Sequence, residues 1–336
     1  MWLSSESGAS PGMSRLKRLF FGQPREVDLP VLAKLAASGG LALGLTQNAR
    51  QLVALPDPQL LTNLLVLGAP HLGARAFLEH LICQQVGRGG GVLVLDPVPS
   101  TRLPVLMDMA ARVAGRTDFE WLPAEPHPTK VAEGFCRNGV TYVSLNFLAA
   151  PRESRAVSRY LQLEFQQAMV ERAAHGPRPS TELPFMVVLP QVSVHASPRW
   201  AALAGQARAL RVCLVMQENS FMETQLAGEY FFASVLKHTG TKVLLPADSA
   251  ESRGLAAERL TPLMTKGGAD VQRALRQLRA GDALVMHRGL IQPFKTRGVS
   301  PSADAPDRLL QSEAARLVHR YLDKTGPALA DNRADS

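Results

Sequence analysis

The chain has 336 residues, 46% hydrophobic and 20% charged, with a formal net charge of +8. That length and composition suit a globular protein of one large or two modest domains and exclude a disordered or fibrous chain. No apolar run reaches the roughly 18 to 20 residues that a membrane helix needs. The opening MWLSSESGASPGMSRLKRLFFG sets Arg15, Lys17 and Arg18 behind a polar leader, without the apolar region of a secretory signal. A cytoplasmic protein with no membrane span of its own is expected, reaching the inner membrane only through a partner.

Cys83, Cys136 and Cys213 are odd in number and lie in or beside apolar segments, so they read as small core residues. The basic surplus fits an acidic partner such as DNA, or simply a solvated basic surface, since its residues are spread along the chain.

Residues 1–27 form a basic arm, expected to be largely disordered. Leu41 to Leu55 reads as a hairpin turning at Gln47-Asn48-Ala49, and Pro56-Asp57-Pro58 ends it. From Leu64 the chain alternates strand and helix, the pattern of a mainly parallel sheet covered on both faces. Strands are expected at 64–67, 92–95, 140–145, 185–189, 212–216, 242–245 and 283–286, with a short strand plus loop within 116–138. Helices are expected at 74–85, 103–114, 152–174, 198–210, 222–237, 249–264 and 270–279. Ser197-Pro198 is a strong helix start, a serine cap before a proline. His175 to Leu183 reads as a proline-rich linker. The tail from Ser300 carries one amphipathic helix, 307–322, with Leu309, Leu310, Ala314, Leu317 and Tyr321 on one face.

The segment Leu64 to Leu81, LLVLGAPHLGARAFLEHL, has the frame of a phosphate-binding loop, G-x-x-x-x-G, in Gly68 and Gly73. Ala74 and Arg75 stand where the lysine and the Ser/Thr belong, so the cation for the phosphates and the hydroxyl for magnesium are both replaced. In a RecA-like motor a neighbouring strand ends in two carboxylates, one for magnesium's water shell and one for the attacking water. Here LPFMVVL runs into Pro190-Gln191, with neither acid. Arg75 has two readings: contact with a bound anion, or an ion pair with Glu79 four residues on. Of the other candidates, the eight histidines lack metal-ligand spacing, and Ser193 and His195 lack a nucleophile elbow. Arg273, Arg276, Arg279, Arg288, Lys295 and Arg297 read either as a nucleic-acid surface or as a solvated face.

The ordered set LLVLGAPHLGARAFLEHL, RGGGVLVLDP, VTYVSLNFL, LPFMVVLPQ, LAGQARALRVCLVMQEN, KHTGTKVLL and LRAGDALVMHRG resembles the cytoplasmic motor domain of conjugative coupling proteins. These form the TraD/TraG group, in the HerA/FtsK branch of RecA-like hexameric ATPases. The resemblance spans about Leu41 to Gly289. It implies an α/β fold of the RecA-like P-loop NTPase kind, in a domain over 28–299 followed by the tail 300–336. It also implies that Arg208 is placed as an arginine finger acting in trans and Gln217 as a sensor of the γ-phosphate. The family's membrane helices have no counterpart here. Its all-α insert is absent or reduced, and its Lys-Gly-Asp turn is replaced by Val98-Pro99-Ser100 after Asp96.

With both nucleotide motifs degenerate, the expectation is a pseudo-ATPase, with no catalytic residue, no metal and no cofactor. It would serve as an accessory or adaptor subunit of a conjugative DNA-transfer or type IV secretion apparatus. Its partners would be an active coupling ATPase or other subunits of that apparatus, in a homo- or hetero-oligomer, with DNA as a further partner. One alternative is a divergent ATP-driven DNA translocase using ATP and Mg2+ through Arg75 and Asp96. The other is a non-enzymatic DNA-binding protein on the same fold.

Overall fold

The computed structural model describes residues 26–28, 39–46, 51–98, 100–122, 134–135, 137–174, 182–264, 268–296, 298–300 and 310–317. Strands β1 (Glu26–Asp28), β2 (Gly40–Thr46) and β3 (Leu52–Pro56) come first. The one-turn helix α1 (Asp57–Leu60) then leads to β4 (Leu64–Leu67) and α2 (Ala74–Gly87). Next are β5 (Val92–Asp96), α3 (Arg102–Val113), β6 (Phe119–Leu122), β7 (Val140–Ser144) and the 24-residue α4 (Pro151–Ala174). They are followed by β8 (Phe185–Leu189), α5 (Pro198–Gln206), β9 (Val212–Glu218), α6 (Phe221–Leu226), α7 (Glu229–His238) and β10 (Thr241–Leu244). The series closes with α8 (Ala250–Leu260), α9 (Gly268–Gln277), β11 (Asp282–His287), β12 (Leu290–Thr296), β13 (Gly298–Ser300) and a helix α10 at 310–317.

Among the described residues eleven strands make one sheet, in the order β3-β2-β12-β11-β10-β4-β9-β8-β5-β7-β6, and β1 pairs with β13 in a separate ribbon. The run from β10 to β6 is parallel throughout. Within it β4 and β8 are wholly apolar and buried along their length, because both faces are covered. In β4, Leu64 and Val66 join Phe77, Leu81 and Ile82 of α2 and Leu106 of α3 in one core. Leu65 and Leu67 point the other way, into a second core with Leu161 and Phe165 of α4, Trp200 of α5 and Phe232 of α7. Strand alternation thus divides one apolar run between two layers. Cys83 and Cys213 are buried and free, as read, and burial pushes the Cys213 thiol up to about 12; Cys136 lies outside the described residues.

Three readings need correction. First, β11 does not continue the parallel series: it runs antiparallel to β10, and β12, β2 and β3 extend that edge antiparallel. Second, β12 escaped notice because LIQPFKT carries Pro293 and mostly part-exposed side chains, which blurs strand alternation. Third, the helix expected at 222–237 is two helices, since Gly228 at φ 124°, ψ 135° breaks it. At the tail, 310–317 is helical, with Leu317 buried and Leu310 packed on the first core. Leu309, Tyr321 and the turn Gln47-Asn48-Ala49 fall outside the described residues.

Candidate functional site

β4 lies at the centre of the sheet, and β9 separates it from β8. Their carboxyl ends open on one crevice, the usual ligand position of such sheets. Gly68 leaves β4 with φ 153°, and a Cβ there would lie 2.6 Å from the Leu245 Cβ, so no side chain fits. A single 3-10 turn, Pro70–Leu72, follows, and Gly73 at φ 120°, ψ −8° turns the chain into α2. A phosphate loop aims its backbone N–H groups at the ligand. Here five of them close on carbonyls of the protein. Gly68 donates to Glu218 (3.0 Å), Ala69 to Pro246 (3.1 Å), Leu72 and Ala74 to Ala69 (3.0 and 3.4 Å), and Gly73 to Pro70 (3.4 Å). Pro70 has no N–H to offer.

Ala74 is buried. Arg75 turns its guanidinium to Glu79, with Nε 3.7 Å from Oε1, and Arg102 Nε donates to the other oxygen at 3.1 Å. Glu79 itself is buried. The ion pair of Arg75 with Glu79 is present, and Arg102, which sequence reasoning missed, completes it from the start of α3.

At the end of β8 the chain turns through Pro190 and Gln191, the latter left-handed at φ 49°, ψ 61°. The Gln191 N–H donates to Gln217 Oε1 at 3.0 Å, and Gln217 Nε2 donates to Asn219 Oδ1 at 3.3 Å. Arg75, Glu79, Asp96, Pro190, Gln191 and Gln217 surround one cavity of about 200 Å³, with Pro70, Leu78, Ile82, Pro97, Val98 and Leu103 completing its wall. The structure thus brings Arg75, the Pro190-Gln191 turn and Gln217 together around that cavity, with Gly68 and Gly73 framing the adjoining loop. Arg208 is elsewhere. It is exposed, in the 3-10 turn Ala207–Leu210 that feeds the amino end of β9, at the edge of the sheet opposite Gly68.

Asp96 accepts from the Tyr142 hydroxyl at 2.8 Å and from the Val98 N–H at 3.1 Å. Burial raises its pKa, and those two hydrogen bonds and the Arg75 charge oppose that rise. A second acid went unread. Glu218, next to Gln217 but on the other face of β9, is buried and accepts from the Ser193 N–H (2.8 Å) and from its neighbour's Asn219 N–H (2.9 Å). Burial pushes it up to about 8, and a hydrogen bond with Glu223 acts in the same direction. Only its fold neighbours, 25 residues upstream, mark it out. His195 pairs with Ser158 at 3.0 Å, not with Ser193, and burial pulls it down to about 4.

The cavity therefore has one cation already engaged by a carboxylate, a second carboxylate held by a tyrosine, the polar residues Gln191 and Gln217, and an otherwise apolar wall. These groups do not match Mg-ATP. Five of the loop amides are taken, and the Pro190-Gln191 turn supplies no acid. In the last third of the chain Arg273, Arg276, Arg279 and Arg288 are exposed, whereas Lys295 is paired with Asp282; Arg297 lies outside the described residues.

No family model matches the chain, and no curated protein matches it. Solved structures do. VirB4 of Thermoanaerobacter pseudethanolicus superposes with a TM-score of 0.51 at 12% identity, over 78% of this chain and 97% of that one. The bacterial conjugative coupling protein TrwB superposes with a TM-score of 0.51 at 9% identity, over 86% of this chain and 92% of that one. TrwB in complex with the non-hydrolysable GTP analogue GDPNP gives the same TM-score and coverage at 10% identity. No helix among the described residues is long and apolar enough to cross a membrane. The chain has an α/β RecA-like fold and resembles the motor domains of conjugative coupling proteins.

Proposed function

We propose that this chain is a coupling-protein-like pseudo-ATPase, an accessory or adaptor subunit of a conjugative DNA-transfer or type IV secretion apparatus. The observation that carries this reading is the closed loop. Five N–H groups between Gly68 and Ala74 donate to the protein's own carbonyls, and Arg75 is held by Glu79. Charge-assisted contacts to phosphate are each worth about 1.5–3 kcal/mol, so losing several at once removes tight nucleotide binding. The fold shared with VirB4 and TrwB supports the placement beside such machinery, with an active coupling ATPase or another of its subunits as partner. Arg208, exposed and away from its own cavity, is available to a neighbouring subunit as a trans arginine finger. In an assembly reconstituted with the coupling ATPase of the same host, Arg208→Ala should lower the ATPase rate. An unchanged rate removes that role.

One observation favours a second reading, a divergent ATP-driven DNA translocase. Arg75 and Asp96 line the same cavity, and the Arg75 charge acts on Asp96. In that case nucleotide binding must reopen the loop and draw Arg75 away from Glu79. DNA-stimulated phosphate release by the isolated chain, abolished by Asp96→Asn, is its signature.

A further inference from the structure

Helix α4 is amphipathic in two directions. Its inner stripe, with Leu161, Phe165, Ala168 and Met169, belongs to the second core. Its outer stripe is Ala156, Tyr160, Leu163, Gln167, Val170 and Ala174, spaced alternately by four and three residues. Alternate steps of four and three are those of the a and d positions of a coiled-coil seam, and they keep the six residues on one side of the helix. All six are exposed, and the three large apolar side chains, Tyr160, Leu163 and Val170, are 39%, 44% and 59% exposed. Scattered exposed apolar residues are ordinary, but an in-register line along a 24-residue helix is a surface built to be covered.

The charges beside the seam identify the occupant. Arg159 flanks it on one side, and Glu164 and Glu171 flank it on the other. If two copies of α4 pair in parallel, Arg159 of one lies opposite Glu164 of the other, five residues on, and the two-fold axis makes that pair twice. Gln166 then faces Glu171. Antiparallel pairing instead sets Glu164 against its own copy and leaves Arg159 opposite Ala173, which costs repulsion and gains no ion pair. Gln167 is the polar residue within the seam. Its side-chain amide bonds Glu171 at 3.2 Å along the same helix, and a single polar seam position of this kind fixes register.

We infer that the outer face of α4 is a self-association surface, on which two copies of this chain pair as a parallel, two-fold coiled coil. The seam spans about two and a half heptads, roughly 27 Å of helix. The pairing is therefore concentration-dependent and, through Arg159 and Glu164, weakened by salt.

Sedimentation equilibrium of the full chain from about 1 to about 100 μM tests this. A monomer–dimer equilibrium is expected, weakened at least about tenfold by Leu163→Glu and by Arg159→Glu. Restored pairing in the double swap Arg159→Glu with Glu164→Arg is the further expectation. Leu163 is at the surface, so unchanged thermal melting checks that the variant is folded. Direction is read separately: Leu163→Cys should give a disulfide-linked dimer under mild oxidation, with the parent chain as control for its own cysteines. The inference is overturned by a chain monomeric at every concentration, by a dimer indifferent to Leu163→Glu, or by one that Leu163→Cys fails to link.

Discussion

Glu218 is a buried acid whose titration should be visible in the stability of the whole chain. Unfolded, the carboxyl titrates near its ordinary value of 4.5; folded, burial pushes it up to about 8. Between those values the native state binds one more proton than the unfolded state. Stability is therefore fully present below the unfolded pKa and falls as pH rises, by ~1.4 kcal/mol per pH unit, levelling off above the folded pKa. Across the window the loss amounts to about 4 kcal/mol. Glu218→Gln removes the titration, at a pH-independent cost of one backbone hydrogen bond, since an amide has a single acceptor oxygen. Urea unfolding of both proteins from about pH 5 to about pH 8 should show the variant gaining about 3–4 kcal/mol on the parent between the acid and the alkaline end. Taking the difference cancels titrations common to both proteins. One is His195, pulled down to about 4, whose contribution has the opposite sign and is lost as pH falls below its unfolded value. Another is Lys242, lowered by burial to about 8. A difference that does not vary with pH would refute a Glu218 kept protonated by burial.

Gly68→Ala drives a Cβ to 2.6 Å from the Leu245 Cβ and 3.2 Å from its backbone, where a flexible tip cannot yield. A loss of about 1–3 kcal/mol is expected in chemical unfolding, and a silent substitution would show that the loop is not packed against Leu245. Asp108 is buried and accepts from Arg112 (3.1 Å) and from Arg316 of α10 (2.6 Å), while Glu313 of α10 meets Arg112 at 2.6 Å. Asp108→Asn should release α10 and speed proteolytic cleavage near 310–317. Added salt should have a smaller effect in the same direction, since part of the network is exposed.

The inner strands of the parallel part were legible because they are buried on both faces and read as apolar runs between helix-period segments, as in FMVVL and VCLVM. The phosphate-loop frame and the acid-free end of β8 were legible as residue identities at known offsets. What the sequence did not carry was contact between distant segments. The antiparallel edge depends on how β11 returns from α9, and β12 looks like a loop until Pro293 is seen opposite Leu284. Arg102 reaches Glu79 across 23 residues, and Tyr142 reaches Asp96 across 46. Glu218 stands beside a residue that was singled out, yet it faces the other side of the sheet, a difference of one position in a strand. The closure of the loop amides is likewise a property of backbone hydrogen bonding that Gly68 and Gly73 alone do not announce.

We expect the crevice above β4 to hold no nucleoside triphosphate, and calorimetric titration of the full chain with Mg-ATP reads this out. The expected result is no saturable heat, corresponding to a Kd weaker than about 1 mM, with Arg75→Ala indistinguishable from the parent. Micromolar binding that collapses in Arg75→Ala would contradict the claim and place Arg75 on a phosphate.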